Sequence, residues 1–336
     1  MLAAFNKVGQ IIYASKDLNR EENYFCPMCK RDVQLKVGVH TRPHFAHNTK
    51  CIMDFNGETK EHQTLKETIF YWLKQDRANY VELEAYLPEI EQRPDVLVNK
   101  TIAIEVQCSF LPIKRLVDRC LAYKKMGINV IWLCGEKLHL NGKLSSLNRA
   151  FINYTENASF YYWELDQKKQ LIKLLFNIEE TLDHKVYYDI FCLPFYKFPL
   201  LNILRLPQVI SPMSVRQYQE EKIIKCYFRE LHQKLYFRDK KLLHLQEKLY
   251  KQGKNILDLP KYYYYPVNRL LACAEDPLSW KLHFYHYIKQ KLSLAQFYFN
   301  KEMKIHRMPL ISKSVHLKKF IYQEVQNLKN YKNLLH

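Results

Sequence analysis

Glycine is scarce in this chain: it supplies 7 of the 336 residues, about 2% against the ~7% typical of proteins. Six of the seven lie at or before Gly142, so residues 143–336 contain only Gly253. Glycine marks turns and weakens helices. The split therefore predicts a turn-rich front part and a largely helical back part.

Long apolar runs are also missing. No stretch without Lys, Arg, Asp or Glu exceeds about ten residues, whereas a helix needs ~20 apolar residues to cross a bilayer. The first residues, MLAAFNKVG, show no basic segment followed by an apolar one, so no secretory signal is evident. Most of the nine cysteines are scattered among apolar neighbours, which argues against a disulfide scaffold. We therefore predict a cytoplasmic protein with reduced thiols.

Acidic residues are few relative to basic ones, 34 against 52, which gives a net charge of +18. The excess is uneven, because residues 1–200 carry a net +3 and residues 201–336 a net +15. A charge this large predicts a polyanionic partner, most simply nucleic acid. The content of hydrophobic (48%) and charged (26%) residues is that of a globular protein and excludes a disordered chain.

The periodicity of apolar residues predicts an α/β order of elements in the front part. We expect a short sheet over residues 1–25, and beyond residue 150 a few strands with a hairpin over 151–200. The elements predicted between them are a helix over 58–75, strands over 81–86, 94–98 and 101–107, a helix over 112–125 and a buried strand over 129–134. Helical patterns follow over 215–252, 277–299 and 313–335.

Five possible zinc ligands lie close together: Cys26, Cys29, His44, His47 and Cys51. A Cys-x-x-Cys at a tight turn supplies two of the four N/S ligands that zinc takes. His47 and Cys51 are spaced i, i+4, so on a short helix they would face the same way; His44 and His47 are an alternative pair. We predict structural Zn²⁺ held by Cys26, Cys29, His47 and Cys51, with His44 as a supporting partner or a substitute. The alternative is a chance pair of cysteines.

Two carboxylates and an amide lie on one predicted hairpin. Apolar and polar residues alternate from Ile102, so Glu105 and Gln107 share one face of a strand. With a short loop Val98 pairs with Ile102, and Asp95 then lies opposite Glu105. Adjacent carboxylates repel unless a cation lies between them, and Mg²⁺ prefers such oxygens. The pair predicts a Mg²⁺ or Mn²⁺ site that clamps a phosphodiester and activates a water; the alternative is a solvated face of an edge hairpin.

The two neighbouring helices add candidate residues at helical spacing. Glu58, His62 and Lys66 (i, i+4, i+8) form one stripe that could complete a metal shell or place a water, although such stripes are also common on plain surfaces. Arg119 and Tyr123 (i, i+4) could reach a nucleic-acid phosphate by charge and hydroxyl.

The basic back part carries many aromatic residues among its lysines and arginines. Exposed aromatics beside basic residues stack on the bases of single strands, whereas aromatics at helical spacing often belong to a core. The pairs and runs concerned are Tyr227-Phe228, Tyr236-Phe237, Tyr262-Tyr263-Tyr264-Tyr265 and Phe297-Tyr298-Phe299.

Seven motifs, taken together in this order, resemble the CoiA competence protein family over about residues 1–150. They are Cys26-Pro-Met-Cys29, His44-Phe-Ala-His47, Glu58-x₃-His62-x₃-Lys66, Arg93-Pro-Asp95-Val, Glu105-Val-Gln107-x-Ser109, Arg119-x₃-Tyr123 and Ile131-Trp132. The resemblance implies a PD-(D/E)xK nuclease-like core behind a zinc-ribbon-like segment, and a role in natural transformation, in which imported single-stranded DNA is processed and recombined.

The resemblance also implies roles for individual residues. Asp95 and Glu105 would be the metal-binding acids, and His62 would occupy the first-helix position. Gln107 stands where many relatives in the wider superfamily have Lys. An amide can orient a water but brings no positive charge to a transition state, so Lys66 or a second metal ion would have to supply it.

Together these observations predict an α/β protein with three parts. They are an N-terminal sheet with a zinc-finger-like segment (1–55), a nuclease-like domain (56–150) and a basic, mainly helical region (151–336). We expect a bacterial competence protein that hydrolyses incoming DNA with Mg²⁺ or Mn²⁺. The alternatives are a non-catalytic mediator that passes single strands to a RecA-type recombinase, and an interaction scaffold whose charge aids solubility.

Overall fold

The computed structural model describes residues 1–27, 29–38, 43–48, 59–211, 216–265, 267–269, 271, 274, 276–279, 281–282 and 308–311. The strands are β1 (Ala3–Phe5), β2 (Ile11–Tyr13), β3 (Tyr24–Phe25), β4 (Asp32–Lys36), β5 (His44–His47), β6 (Val81–Leu83), β7 (Val96–Val98), β8 (Ile102–Gln107), β9 (Asn129–Cys134), β10 (Asn153–Thr155), β11 (Ser159–Asp166), β12 (Leu171–Thr181), β13 (Val186–Pro194) and β14 (Asn268–Arg269). The helices are α1 (Lys60–Lys74), α2 (Ile113–Lys125), α3 (Ser146–Phe151), α4 (Leu200–Leu204), α5 (Glu220–Tyr236) and α6 (Lys240–Tyr250).

The chain divides into two compact units. Unit 1 comprises Met1–His139, Trp163–Leu174 and Cys192–Leu206. Unit 2 comprises Leu140–Tyr162, Leu175–Phe191 and the described residues from Pro207 onward. The boundaries 1–55, 56–150 and 151–336 stay a prediction.

The N-terminal sheet of unit 1 contains five antiparallel strands in the order β2-β1-β3-β4-β5. Along β4 exposed and buried residues alternate, as expected for a strand with one face on a core. Val33 and Leu35 face inward, where they join Ala4, Tyr24 and Phe45 in a small core.

The larger sheet has the order β13-β12-β11-β9-β8-β7-β6, with β10 paired to β11 and β14 to β12. Strands β6, β7 and β8 form an antiparallel meander, and β8 and β9 are parallel neighbours joined through α2. A parallel pair needs such a crossover, which is usually helical. The α/β order of elements predicted for this part is confirmed.

Helix α1 begins where the Thr59 hydroxyl accepts a hydrogen bond from the His62 N–H, a normal N-cap. Its buried face includes Leu65, Ile69 and Trp72 at helical spacing, as the sequence predicted. The helix therefore turns His62 and Lys66 toward the strands of unit 1.

Two hydrogen bonds tie the N-terminal sheet to the meander within unit 1. The Leu2 N–H donates to Glu84 Oε2 at 3.0 Å, and the Leu83 N–H donates to the Tyr13 hydroxyl at 3.3 Å. The first two strands of the N-terminal sheet are thus bonded directly to the end of β6, the edge strand of the meander.

Unit 2 contains strand segments as well as helices. Strand β10 and parts of β11, β12 and β13 belong to it, and so do the helices α3, α5 and α6. Helices α5 and α6 bury Ile223, Tyr227, Leu231, Leu242 and Leu245 in one cluster.

The helical pattern predicted over 215–252 corresponds to two helices, α5 and α6. Arg238 adopts a left-handed backbone (φ 53°), which ends α5. The Asp239 side chain then accepts hydrogen bonds from the N–H groups of Lys241 and Leu242 and so caps α6.

The last two predicted helices lie mostly outside the described residues. Within 277–299, residues 277–279 and 281–282 are helical. The prediction for 313–335 falls wholly outside. In the part of the chain that the structure describes, no helix has the length and apolar content that a membrane crossing requires.

Candidate functional site

The predicted hairpin register is confirmed. Val98 pairs with Ile102, and Val96 pairs with Ile104. Continuing this antiparallel register by one residue places Asp95 opposite Glu105, and directly opposite residues point to the same side of a sheet. The two acids therefore share one face, as the alternation of residues predicted.

Asp95 immediately precedes β7, and its side chain is 14% exposed. Its Oδ2 atom accepts a hydrogen bond from the Val106 N–H at 2.8 Å and lies 3.1 Å from His62 Nε2. Burial alone would raise the pKa of Asp95, but the charge and hydrogen bond of His62, with the charge of Lys66, lower it to about 2. The acid is therefore held as a carboxylate.

Glu105 is almost fully buried, with 1% of the residue exposed. Its Oε1 atom accepts hydrogen bonds from the Tyr123 hydroxyl at 2.5 Å and from Arg119 Nη2. Burial raises the pKa of Glu105 to about 7. The positive charge of Arg119 lowers this pKa only in part, and the negative charge of Asp95 raises it further. The two acids of the pair thus differ in their hold on a proton.

All these contacts to the acid pair fall on one oxygen of each carboxylate. Among the described residues, no hydrogen bond reaches Asp95 Oδ1 or Glu105 Oε2. Mg²⁺ and Mn²⁺ bind carboxylate oxygens, and a cation would also relieve the repulsion between the two acids. The donor set of Asp95 and Glu105 therefore fits a divalent cation.

Lys66 is fully buried and makes an ion pair with Glu84, a residue that the sequence analysis did not single out. Glu84 Oε1 holds Lys66, while Oε2 accepts the Leu2 N–H and lies 3.8 Å from Arg93 Nη1. Glu84 also has a left-handed backbone (φ 53°), so it ends the strand predicted to run to residue 86. Continued strand alternation would have put the Glu84 side chain on the same face as Glu82, and no local sequence signal indicates that it turns inward instead.

Gln107 ends β8 and is partly exposed, with its side-chain amide donating to the Ser109 carbonyl oxygen at 2.9 Å. Arg119 and Tyr123 lie on α2, and both donate hydrogen bonds to Glu105. The sequence had predicted that they contact a nucleic-acid phosphate. Arg119 Nε is buried and has no hydrogen-bond partner among the described residues. The phosphate contact of Arg119 and Tyr123, and catalysis by Gln107, His62 and Lys66, stay predictions.

A second cluster lies at the N-terminal sheet, where Cys26, Cys29 and His47 come together. Their sulfur and nitrogen atoms all lie within 4.8 Å of one another, and Cys29 Sγ is 3.1 Å from His47 Nε2. The turn that brings the cysteines together is closed by the Lys30 N–H donating to the Cys26 carbonyl oxygen at 3.0 Å. This N/S donor set fits a metal ion.

The expectation that His47 lies on a short helix is wrong. His44 and His47 both lie in strand β5, whose residues pair with β4. Residues three apart on a strand point to opposite faces, and the three-residue cluster does not include His44. Cys51 and Glu58 lie outside the described residues, so their roles stay predictions.

Two family models match consecutive parts of the chain. "Competence protein CoiA, N-terminal domain" matches residues 12–53, and "Competence protein CoiA, nuclease-like domain" matches residues 58–207. The first range contains the Cys/His cluster, and the second contains the acid pair with its helices.

The chain belongs to the CoiA family.

A curated CoiA relative, the competence protein CoiA of Bacillus subtilis (strain 168), is 30% identical over 148 residues. The aligned stretch covers 43% of this chain and 37% of the relative, so much of the relative's length has no counterpart in the comparison. No solved structure matches the chain. CoiA membership confirms the family expected from the motifs.

Proposed function

We propose that this CoiA-family protein processes DNA during natural transformation by metal-dependent hydrolysis of phosphodiester bonds. The observation that supports this most is the acid pair Asp95 and Glu105, whose carboxylates share one face and each keep one oxygen free of hydrogen bonds from the described residues. An acid pair of this kind is unfavourable without a cation. The nuclease-like family model over the same residues is consistent with the proposal.

The surrounding residues prepare the pair for a cation. His62 contacts the Oδ2 atom of Asp95, and Arg119 and Tyr123 donate to the Oε1 atom of Glu105. These contacts orient both carboxylates and leave Oδ1 and Oε2 available for a cation. A bound Mg²⁺ or Mn²⁺ would polarise the phosphate and lower the pKa of a bound water. Gln107, near the exposed end of β8, would orient that water.

Arg119 is the residue best placed to contact a DNA phosphate. One nitrogen of its guanidinium binds Glu105, while Nε is buried without a partner in the described chain. The Arg119 side chain as a whole is 18% exposed, so a phosphate oxygen would approach its outer N–H groups and not the buried Nε. Lys66 does not have this freedom, because its ammonium group is ion-paired with Glu84; its contribution would be the charge that it places near Asp95.

Cleavage of labelled single- and double-stranded DNA with Mg²⁺ or Mn²⁺ tests the proposal. We expect Asp95→Asn and Glu105→Gln each to reduce the rate at least about a hundredfold without changing DNA affinity. Asp118→Asn is the matched control, since it removes a charge from an exposed position of α2, next to Arg119. Cleavage that is equal in all four proteins would refute the acid pair as the active site.

A non-catalytic function is the second candidate. It is favoured by one observation: each acid of the pair already contacts a basic side chain of the protein, His62 or Arg119, and Gln107 brings no positive charge. In that case the protein would bind single-stranded DNA and pass it to a RecA-type recombinase. Salt-sensitive binding without cleavage in the same assay would support this candidate.

We also propose that Cys26, Cys29 and His47 hold a structural zinc ion, with Cys51 as the fourth ligand. The expected result is about one zinc per chain by elemental analysis, lost in Cys29→Ser. Cys192→Ser is the control, because Cys192 is an exposed free cysteine away from the cluster. Equal zinc content in both variants would contradict the assignment.

A further inference from the structure

One face of helix α5 in unit 2 carries a line of basic residues with an aromatic residue at its end. The residues are Lys222, Lys225, Arg229, His232 and Tyr236, and all five are exposed. At 100° per residue they fall within an arc of about 80°, and along the axis they span about 21 Å. We call this set the α5 stripe.

The opposite face of α5 is its buried face. Ile223, Tyr227 and Leu231 lie there and pack into the core of unit 2. The α5 stripe is therefore not a by-product of a helix that is basic all round, because its basic residues lie opposite the core face, whereas Lys234 elsewhere on the helix is ion-paired with Glu230 and Asp276. The acids Glu220 and Glu221 lie at the first turn, before the stripe begins.

The stripe borders a shallow groove of about 610 Å³. The described residues that line it are Lys222, Lys225, Phe228, Arg229 and His232, so three permanent positive charges lie beside a phenyl and an imidazole ring. A groove with this lining attracts an extended anionic chain, because each phosphate can meet a lysine or arginine in turn.

Two aromatic side chains at the C-terminal end of α5 are exposed. Tyr236 is 82% and Phe237 is 77% exposed, and their rings lie edge to face with centroids 5.2 Å apart. The left-handed Arg238 that follows ends the helix directly after them. By contrast, Tyr227 and Tyr264 are buried and serve the core. The structure thus separates aromatics that can contact a base from those that cannot.

We propose that the α5 stripe, with Phe237, is a binding site for single-stranded DNA. The basic residues would follow the sugar-phosphate backbone, and Tyr236 and Phe237 would stack on unpaired bases. A duplex offers phosphates but keeps its bases stacked on one another, so the exposed aromatics favour a single strand. The choice of DNA as the ligand rests on the proposed function, but the residues of this site are not those of the acid pair.

The test is fluorescence anisotropy of a labelled oligothymidylate with the full chain over a range of salt concentrations. Lys225→Gln with Arg229→Gln should weaken binding at least about tenfold and reduce the slope of log affinity against log salt by about 1.4, because each lost phosphate contact on a single strand removes ~0.7. The control is Lys7→Gln with Arg20→Gln, which removes two exposed charges from unit 1 and should change neither quantity.

The aromatic part of the site has its own test. Tyr236→Ser with Phe237→Ser should weaken binding of the single strand at least about fivefold, with an unchanged salt slope. Binding of a duplex should not change. If duplex and single strand lose affinity equally, or neither does, the assignment to single-stranded DNA is wrong.

The same proteins separate this inference from the proposed hydrolysis. Asp95→Asn should bind the oligothymidylate like the unaltered chain. Metal-dependent cleavage combined with unchanged binding in the Lys225/Arg229 variant would overturn the α5 stripe and leave hydrolysis standing. If the unaltered chain binds the oligothymidylate without cleaving DNA in the presence of metal, and the Lys225/Arg229 variant loses binding, hydrolysis is overturned and the stripe is supported.

Discussion

Both units bury carboxylates, but they satisfy them in different ways. In unit 2, Arg149 Nη2 binds both oxygens of Glu180, at 2.8 and 2.7 Å. In unit 1, Asp95 and Glu105 are each bound through a single oxygen. Burying a carboxylate costs free energy of desolvation, and hydrogen bonds to both of its oxygens offset more of that cost than a bond to one oxygen does.

The difference separates structural acids from candidate functional ones. By the same criterion, Glu84 belongs with Glu180 although it lies near the acid pair, because Lys66 and the Leu2 N–H occupy its two oxygens. We therefore regard Glu84 as a residue that fixes Lys66 and the N-terminal sheet. Asp95 and Glu105 remain as the acids with room for a ligand.

Breaking the saturated pair should give the largest effect on stability. Arg149→Met leaves Glu180 buried without its partner, so we expect the free energy of unfolding to fall by about 3–5 kcal/mol. The double variant Arg149→Met with Glu180→Leu should recover most of that loss. Urea denaturation measures both, and a single-variant loss below about 1 kcal/mol would contradict the comparison.

Glu105→Gln should show the opposite pattern. The fold already disfavours the charge of Glu105, as its pKa of about 7 indicates, and a glutamine oxygen can still accept from Tyr123 and Arg119. We expect stability near neutral pH to change by less than about 2 kcal/mol, while Mn²⁺ affinity falls more than about tenfold. Calorimetric titration without DNA measures the affinity. A large stability loss with intact Mn²⁺ binding would place Glu105 with the structural acids.

Glu230 of unit 2 offers a pH test of a structural pair. Burial would raise its pKa, but hydrogen bonds with His184 and Lys234 lower it to about 2. A lowered pKa in the folded state stabilises the fold above the unfolded value of about 4.5 and is lost as pH falls toward 2. Thermal melts at about pH 6 and pH 3 measure how much stability each protein loses between these pH values. Glu230→Gln should lose about 1 kcal/mol less than the unaltered chain. The difference is small because the pair is partly exposed. Equal losses would refute the pairing.

Tyr123→Phe should have the smallest effect. It removes one of two donors to Glu105 Oε1 and leaves Arg119 and the free Oε2 in place. We expect a stability loss of about 0.5–1.5 kcal/mol and a change in Mn²⁺ affinity of less than about threefold. A complete loss of Mn²⁺ binding would show that the pair depends on the tyrosine for its geometry.

The sequence predicted those features of the site that depend on strand periodicity. Alternation along β8 and the position of the loop were enough to set Val98 against Ile102 and hence Asp95 against Glu105. Helical spacing put His62 and Lys66 on one stripe of α1 but left open whether that stripe faces the strands or the solvent; the contacts to Asp95 and Glu84 place both residues toward the strands.

What the sequence did not predict depends on residues in unusual backbone conformations. Glu84 and Arg238 both have positive φ without being glycine, and each ends an element whose pattern continues beyond it. Such positions are held by tertiary contacts, here the ion pair with Lys66 for Glu84, and not by local preference. The partner of Glu105 is also set by tertiary structure, since α2 brings Arg119 to it from 14 residues away.

The hydrogen bonds from Leu2 to Glu84 and from Leu83 to Tyr13 have a consequence for how this protein can be divided. Two separate family models meet near residue 58, which invites expression of the nuclease-like part alone. A fragment cut there would remove the hydrogen-bond donor of the buried Glu84 at Leu2 and the acceptor of the Leu83 N–H at Tyr13. The two parts are therefore poor candidates for independent modules. A chimaera that exchanges the N-terminal part between relatives would have to keep Tyr13 and Glu84 from the same protein.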